Sequence, residues 1–234
     1  MTPVLIIICI VFLILAAALW AARRASQRRQ HIRSAALPKG LYDKLRQRHP
    51  QLALKDCALV AQGLRQFFMA YSRSRHQTVS MPSQVADDLW HEFILHTRAY
   101  DLFCQNAFGR FFHHAPAAAL AGGNTQMNEG LRRCWWHACR EDNINPVKPA
   151  RLPLLFALDA KMNIVNGFHY AADCSANKLR SAAAAASAIY CGGDFSSSAI
   201  DGSTAGFSDS GNGSGGSGAD ASSDGGGCGG GGGD

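Results

Sequence analysis

Residues 87–96 (DDLWHEFILH) place five side chains that can bind metal ions or transfer protons within ten positions. On a helix, Asp88 and His91 lie about 60° apart around the axis, so the carboxylate can share an ion with the imidazole or fix its orientation. A second pair, His113 and His114, follows later in the chain. The sequence therefore predicts a metal site in which one or both of these histidines join Asp88 and His91. Two imidazoles with one carboxylate suit a single Zn or Fe(II) ion.

The same stretch does not match the zinc-protease motif, in which two histidines stand four residues apart. His91 and His96 stand five apart, which turns their side chains about 140° away from each other on a helix. The alternative to a metal site is that His91 and His114 form hydrogen bonds with the backbone beneath Trp90 and hold the helix to the loop. The residue types alone leave both interpretations open.

The cysteines offer a second kind of chemistry. Cys134, His137 and Cys139 offer soft metal ligands, but their spacing matches no common zinc motif. The sequence therefore favours a role as small buried residues over a role as metal ligands. Cys104 and Cys174 are candidate nucleophiles, although no local arrangement in the sequence places an imidazole beside either thiol. Eight cysteines at irregular spacing in a chain of 234 residues favour reduced thiols and a reducing compartment.

An uncharged apolar stretch occupies residues 4–22. As a helix its nineteen residues would span about 28 Å, close to the thickness of the hydrocarbon layer. A basic segment follows directly, with Arg23, Arg24, Arg28, Arg29 and Arg33. Residues 1–3 lack the positive charge that begins a signal peptide, although cleavage within residues 16–22 is the alternative. The positive-inside rule predicts a single-pass protein of the inner (plasma) membrane, with the N-terminus outside and the domain cytoplasmic.

Apolar positions elsewhere recur at intervals of three and four, as amphipathic helices require. The expected fold is mostly α: an N-terminal transmembrane helix, a compact helical domain and a disordered Gly/Ser-rich tail. The spacing predicts helices over residues 41–49, 54–71, 82–106 and 126–140, and the alanine content predicts another over 177–190. The apolar run at residues 154–158 is too short to assign as helix or strand.

Composition divides the chain into three segments. Residues 1–33 are expected to form the anchor and the basic juxtamembrane segment, residues 34–190 a helical globular domain, and residues 191–234 a disordered tail. Residues 181–234 contain six Asp and no Lys or Arg, and glycine-rich sequence of this kind has little apolar surface to bury. The tail is expected to act as a solubilising segment, or alternatively as a latch that competes with lipid for the basic segment. Anionic lipid explains the arginines behind the apolar stretch better than nucleic acid does.

Several separated pieces resemble the glycine-rich domain-containing protein-like family. They are residues 88–94 (DLWHEFI), Tyr100, residues 103–104, residues 108–116 (FGRFFHHAP) and residues 151–159 (RLPLLFALD), within a resemblance that extends from about Tyr42 to Cys174. The resemblance implies a helical domain with a Trp-His signature, which here matches Trp90, His91, His114 and Pro116. Many members carry a second histidine two positions after the first. Phe93 stands there in this chain, which shifts the expected metal site toward His113 and His114.

Three classes of function remain at the level of sequence. The leading hypothesis is a membrane-tethered protein-binding or scaffolding module that meets the bilayer and a protein partner of unknown identity. The alternative is a metal-dependent, hydrolase-like enzyme that uses Asp88, His91, His113 and His114. The weakest is nucleic-acid binding, for which the candidate residues are Arg65, Arg73, Arg75 and Arg110.

Overall fold

Helices form nearly all of the regular structure in this computed structural model, which describes residues 3–114, 124–172 and 189–191. Within these ranges the elements are α1 (Pro3–Ser34), α2 (Leu41–Arg48), α3 (Leu54–Arg73), α4 (Gln84–Leu95), α5 (Thr97–Ala107), α6 (Asn124–Glu141), α7 (Leu154–Lys161), β1 (His169–Ala171) and β2 (Ile189–Cys191). The mostly helical fold expected from the apolar spacing is confirmed, and the ambiguous run at residues 154–158 belongs to a helix.

The first helix is long and has two different halves. Residues 4–20 are exposed along their whole length, whereas Ile32 is fully buried in the core. The helix is long and apolar enough to cross a membrane. Length and composition of this kind are shared by membrane spans and signal sequences.

The core is centred on α3, against which α1, α4, α6 and α7 pack. Its buried face includes Val60, Leu64, Phe67 and Phe68, which recur at helical spacing. Gly63 allows α7 to approach closely, since a Cβ at this position would overlap with the side chain of Leu158. The α3 helix therefore provides the platform on which the other helices are placed.

The single helix expected over residues 82–106 is two helices. The chain leaves helical geometry at His96 (φ −81°, ψ 59°), after which α5 begins. The break allows Trp90 and Tyr100 to meet in the core, where the indole N–H donates to the phenolic oxygen at 3.1 Å. As a result, the apolar faces of α4 and α5 are both buried. Continuous apolar spacing could not indicate the bend.

The first turn of α4 is tied to α7 by a buried carboxylate. Asp159 is 1% exposed. Its two oxygens accept four hydrogen bonds, from Ser83 Oγ (2.7 Å) and from the backbone N–H groups of Gln84 (2.7 Å), Val85 (3.1 Å) and Phe168 (2.8 Å). This network fixes where α4 begins and, through it, where the side chains on its outer face lie.

The end of the described chain differs from the expectation. Ile189–Cys191 pairs in parallel with His169–Ala171, so the helix expected to reach residue 190 is wrong for Ile189 and Tyr190. The rest of that helix, residues 177–188, lies outside the described residues. The disordered tail was expected over residues 191–234. Its first residue, Cys191, belongs to β2, and residues 192–234 lie outside the described residues.

Candidate metal centre

Asp87, His91 and His114 form a compact cluster on the outer face of α4. Asp87 and His91 lie one helical turn apart, and His114 arrives from the segment that follows α5. Oδ2 of Asp87 is 3.6 Å from Nδ1 of His91, and Oδ1 of Asp87 is 3.1 Å from Nε2 of His114. The two imidazole rings are 4.3 Å apart between centroids.

One ligand atom from each of the three residues lies within 4.8 Å of the other two. Two ligands bound about 2.1 Å from one zinc ion lie at most about 4.2 Å apart. Small side-chain rotations would therefore bring all three atoms around a single ion. The donor set of two imidazoles and one carboxylate fits zinc or iron(II).

The cluster is partly buried. The side-chain exposures are 22% for Asp87, 43% for His91 and 18% for His114. An ion held here would keep one side open to solvent. Three protein ligands with an open position are the arrangement of catalytic rather than structural zinc sites.

His114 is held in place by aromatic packing. Its ring lies 4.7 Å from the indole of Trp90, which in turn stacks on Phe112 at 5.1 Å. The hydroxyl of Tyr100 donates to the backbone carbonyl of Phe112 at 2.5 Å. The turn that starts this segment is made at Gly109, whose φ of 76° suits glycine. The position of His114 is therefore set by buried contacts.

Asp88, which the sequence analysis placed in the metal site, faces away from the cluster. Its Oδ1 accepts a hydrogen bond from Nη1 of Arg48 at 2.7 Å, and its Oδ2 lies 2.8 Å from Nε2 of His49. Asp88 thus ties α4 to the end of α2. Asp87 occupies the position in the cluster that was expected for Asp88. The helical spacing already favoured Asp87 as the partner of His91. Residues four apart on a helix differ by about 40° around the axis, compared with about 60° for residues three apart.

The two histidines that follow α5, His113 and His114, lie in different surroundings. His114 joins the cluster, whereas the exposed His113 packs against Phe111 at 4.7 Å. Neighbouring side chains of an extended segment point in opposite directions, which explains the difference. Of the expected signature, Trp90 is a core residue, and Pro116 lies outside the described residues.

The cluster borders a pocket of about 800 Å³. Phe67, Trp90 and Phe112 contribute to its apolar wall, and each is almost fully buried. A volume of this size accommodates a small organic molecule. The cluster and the apolar wall face the same space.

Arg110 also lines this pocket. Its guanidinium donates to the hydroxyl of Tyr71 at 3.1 Å and to the backbone carbonyl of His76 at 3.2 Å. Within the described ranges it forms no ion pair with a carboxylate. Burial, followed by the nearby charges of Arg110 and Arg28, lowers the pKa of His76. The pocket therefore has the cluster of candidate metal ligands in one part of its lining and, in another, a guanidinium group without a carboxylate partner among the described residues.

The cysteine sites expected as alternatives are buried. Burial raises the pKa of Cys134 and raises that of Cys139 to about 12. Burial also raises the pKa of Cys104. None of the three has the lowered pKa of a reactive thiol. Cys174 lies outside the described residues.

Most of the arginines proposed for nucleic-acid binding make internal contacts. Arg73 pairs with Glu141 at 2.7 Å, and Arg65 donates to the backbone carbonyl of Ala35 at 2.9 Å. Arg110 contacts Tyr71 as described above. The contacts of Arg65 and Arg73 give these two side chains structural roles in the domain, whereas Arg110 also lines the pocket.

A protein-family model, described as UCP032817-like, matches residues 27–195. Searches among curated proteins and among solved structures found no match. The family match overturns the resemblance to the glycine-rich domain-containing protein-like family, which is wrong. The matched region begins inside α1 and contains the whole cluster of Asp87, His91 and His114. It covers more than half of the chain, which therefore belongs to the UCP032817-like family.

Proposed function

We propose that this protein is a membrane-anchored, metal-dependent enzyme that acts on a small anionic molecule. Asp87, His91 and His114 are the ligands of one zinc or iron(II) ion in this proposal. The observation that carries it is the convergence of these three donor groups beside the large pocket. A bound zinc ion would supply a water molecule of lowered pKa, which suits a hydrolytic reaction.

The charges around the cluster favour the binding of a cation. The carboxylate of Asp87 faces two imidazoles, and within the described residues its ion-pair partners are these two histidines alone. Asp88, one residue later, has an arginine as partner. A carboxylate with two imidazoles has the ligand types of a metal site, and protons compete with the ion for the same atoms.

The pocket supports a substrate with an acidic group and an apolar body. Arg110 offers guanidinium N–H groups suited to a carboxylate or phosphate. The aromatic wall offers an apolar surface beside it. A molecule held in this way would present a group for reaction at the metal side of the pocket, because Arg110 and the cluster line the same space.

The first helix is the proposed membrane anchor, with the N-terminus outside and the domain in the cytoplasm. The uncharged stretch followed by five arginines supports this orientation. The four buried cysteines that are free thiols, Cys57, Cys104, Cys134 and Cys139, agree with a reducing compartment. Retention in membranes after a carbonate wash and activity of a cytoplasmic reporter fused to the C-terminus would test the two parts separately.

The metal site is tested by titrating the full-length, detergent-solubilised protein with Zn²⁺ and by elemental analysis. We expect one ion per chain. Asp87→Asn and His114→Gln should weaken binding beyond the 10–100-fold that changes to outer-shell residues cost. His113→Gln is the matched control, because this neighbouring histidine lies outside the cluster. A lack of stoichiometric metal, or equal affinity in all three variants, would overturn the proposal.

The protein-binding or scaffolding module stays a prediction. We favour the metal-dependent function over the scaffold because a defined group of side chains supports the metal site. Capture from membranes with the full chain and with a fragment carrying only residues 1–33 separates the two. A partner recovered by the full chain alone, together with absence of metal, would favour the scaffold.

A further inference from the structure

A second cleft, of about 630 Å³, lies between the middle of α1 and the end of α5. Its lining is polar and basic, and the residues that carry charge or hydrogen-bonding groups include Arg23, Arg24, Arg28 and His31 from α1 and Gln105 and Asn106 from α5. It begins at Trp20, at the end of the uncharged stretch of residues 4–22. In a membrane-anchored chain, this part of α1 lies at the level of the lipid headgroups, because a nineteen-residue helix already spans about 28 Å.

The arginines of this cleft differ from those deeper in the domain. Arg33 and Arg73 both pair with Glu141, at 2.6 and 2.7 Å. Arg24 and Arg28 have no carboxylate partner among the described residues. The guanidinium of Arg24 lies 5.3 Å from the ring centroid of Trp20, an arrangement that suits the membrane interface.

Arg28 reaches across the cleft to the turn after α5. Its guanidinium lies against Gly109, where a Cβ would overlap with Nη2. Glycine at this position therefore makes room for the charged group as well as for the turn.

The remaining side chains around the cleft supply hydrogen-bond donors. Nε2 of His31 is buried and has no hydrogen-bond partner within the described ranges. The amide groups of Gln105 and Asn106 can donate to an oxygen atom. Three guanidinium groups together with side-chain amides are the chemistry that binds a phosphate.

We propose that this cleft binds the phosphate of an anionic phospholipid headgroup in the leaflet on the domain side. The lipid would be held between the membrane span and α5, which would fix the domain against the surface. The inference rests on the anchor part of the proposed function and is independent of the metal site. It identifies Arg23, Arg24 and Arg28, which line the cleft, rather than Arg29 and Arg33, as the residues that select the lipid.

The test uses the full-length protein in detergent, with equal amounts of phosphatidylglycerol and phosphatidylcholine, and native mass spectrometry to count retained lipids. We expect preferential retention of phosphatidylglycerol. A basic residue near an anionic surface contributes roughly a fivefold factor, so Arg24→Gln/Arg28→Gln should lower this retention by at least about tenfold. Arg98→Gln, which changes an exposed arginine of α5 outside the cleft, should leave it unchanged.

Arg24→Gln alone provides a second measurement, because Arg24 is exposed and its loss leaves the contact at Gly109 intact. A several-fold loss is expected. Equal retention of the two lipids by the native protein, or equal loss with Arg98→Gln, would overturn the proposal. Displacement of the lipid by an equal concentration of inorganic phosphate would also overturn it, by showing that the cleft takes free phosphate. Carbonate washing and zinc titration of the same samples report the anchor and the metal site separately.

Discussion

The buried network at the start of α4 and the open cluster on its outer face are both organised by a carboxylate. Asp159 is enclosed, and its oxygens accept four hydrogen bonds from the chain itself. Asp87 is partly exposed and faces two histidines at the edge of a pocket. The first carboxylate has its partners supplied by the fold, whereas the second has ligand atoms around it and space for an added cation.

Asp88 falls between these two cases. It is nearly as buried as Asp159, and it is neutralised by Arg48 and accompanied by His49. Three carboxylates near one helix thus differ mainly in what supplies the positive charge or the donors. We expect substitutions of the three to separate folding from metal binding.

The largest effect is expected for Asp159→Ala. The substitution leaves one hydroxyl and three backbone N–H groups without their shared acceptor, and charged hydrogen bonds contribute about 1.5–3 kcal/mol each. We expect the free energy of unfolding to fall by about 3 kcal/mol or more. Thermal unfolding followed by near-UV circular dichroism measures it. Asp101→Ala, at an exposed position of α5, is the control, and equal melting of the two variants would contradict the role of the network.

The next effect is the stabilisation by metal. A ligand at one hundred times its dissociation constant stabilises the folded state by about 2.7 kcal/mol, so Zn²⁺ should raise the melting temperature of the native protein by several degrees. Asp87→Asn should abolish this increase and change the melting temperature of the metal-free protein little. An increase of the same size in the variant would show that zinc binds elsewhere.

Asp88→Asn should have the opposite pattern. Losing the charge that pairs with Arg48 and His49 should cost about 1–2 kcal/mol of stability, a value reduced because Arg48 is half exposed. The zinc affinity should remain within a factor of about two of the native value, because the side chain faces away from the cluster. A large loss of zinc affinity in a folded variant would return Asp88 to the metal site.

The smallest effect concerns pH. The folded-state pKa of His76 is lowered by burial, so the unfolded chain takes up a proton more readily. Stability is therefore unaffected above the ordinary pKa of about 6.5 and falls as the pH decreases below it. His76→Asn tolerates the positive φ of this position and should reduce the loss of stability between pH 7 and 5, as measured by thermal unfolding across this range. An unchanged pH profile would remove His76 as a contributor.

Helical spacing predicted most of the helices, because one face of each is buried against α3 or its neighbours. The break at His96 escaped prediction because it depends on Trp90 meeting Tyr100, a contact made in three dimensions. The short strand at Ile189–Cys191 escaped because its partner, His169–Ala171, lies far away in the sequence. Local propensity contains no information about such pairing.

The candidate site was predicted in part for the same reason. His91 and His114 were identified from residue type, and the structure brings them together. The choice of Asp88 over Asp87 depended on which neighbour would claim each carboxylate. Arg48 and His49 lie on a separate helix, so the local sequence around residues 87–96 could not show that Asp88 was already paired.

The continuity of α1 restricts how the domain moves. Residues 23–34 extend about 18 Å beyond the apolar stretch, and Ile32 fixes the end of the helix in the core. In a chain anchored in this way, the domain cannot tumble separately from its span, so the opening of the pocket stays at a nearly constant height above the lipid. Four alanines inserted after Ala22 would raise it by about 6 Å with a net turn of about 40°. A flexible insertion of equal length would instead release the domain, so comparing the two would separate the effect of distance from that of restricted orientation.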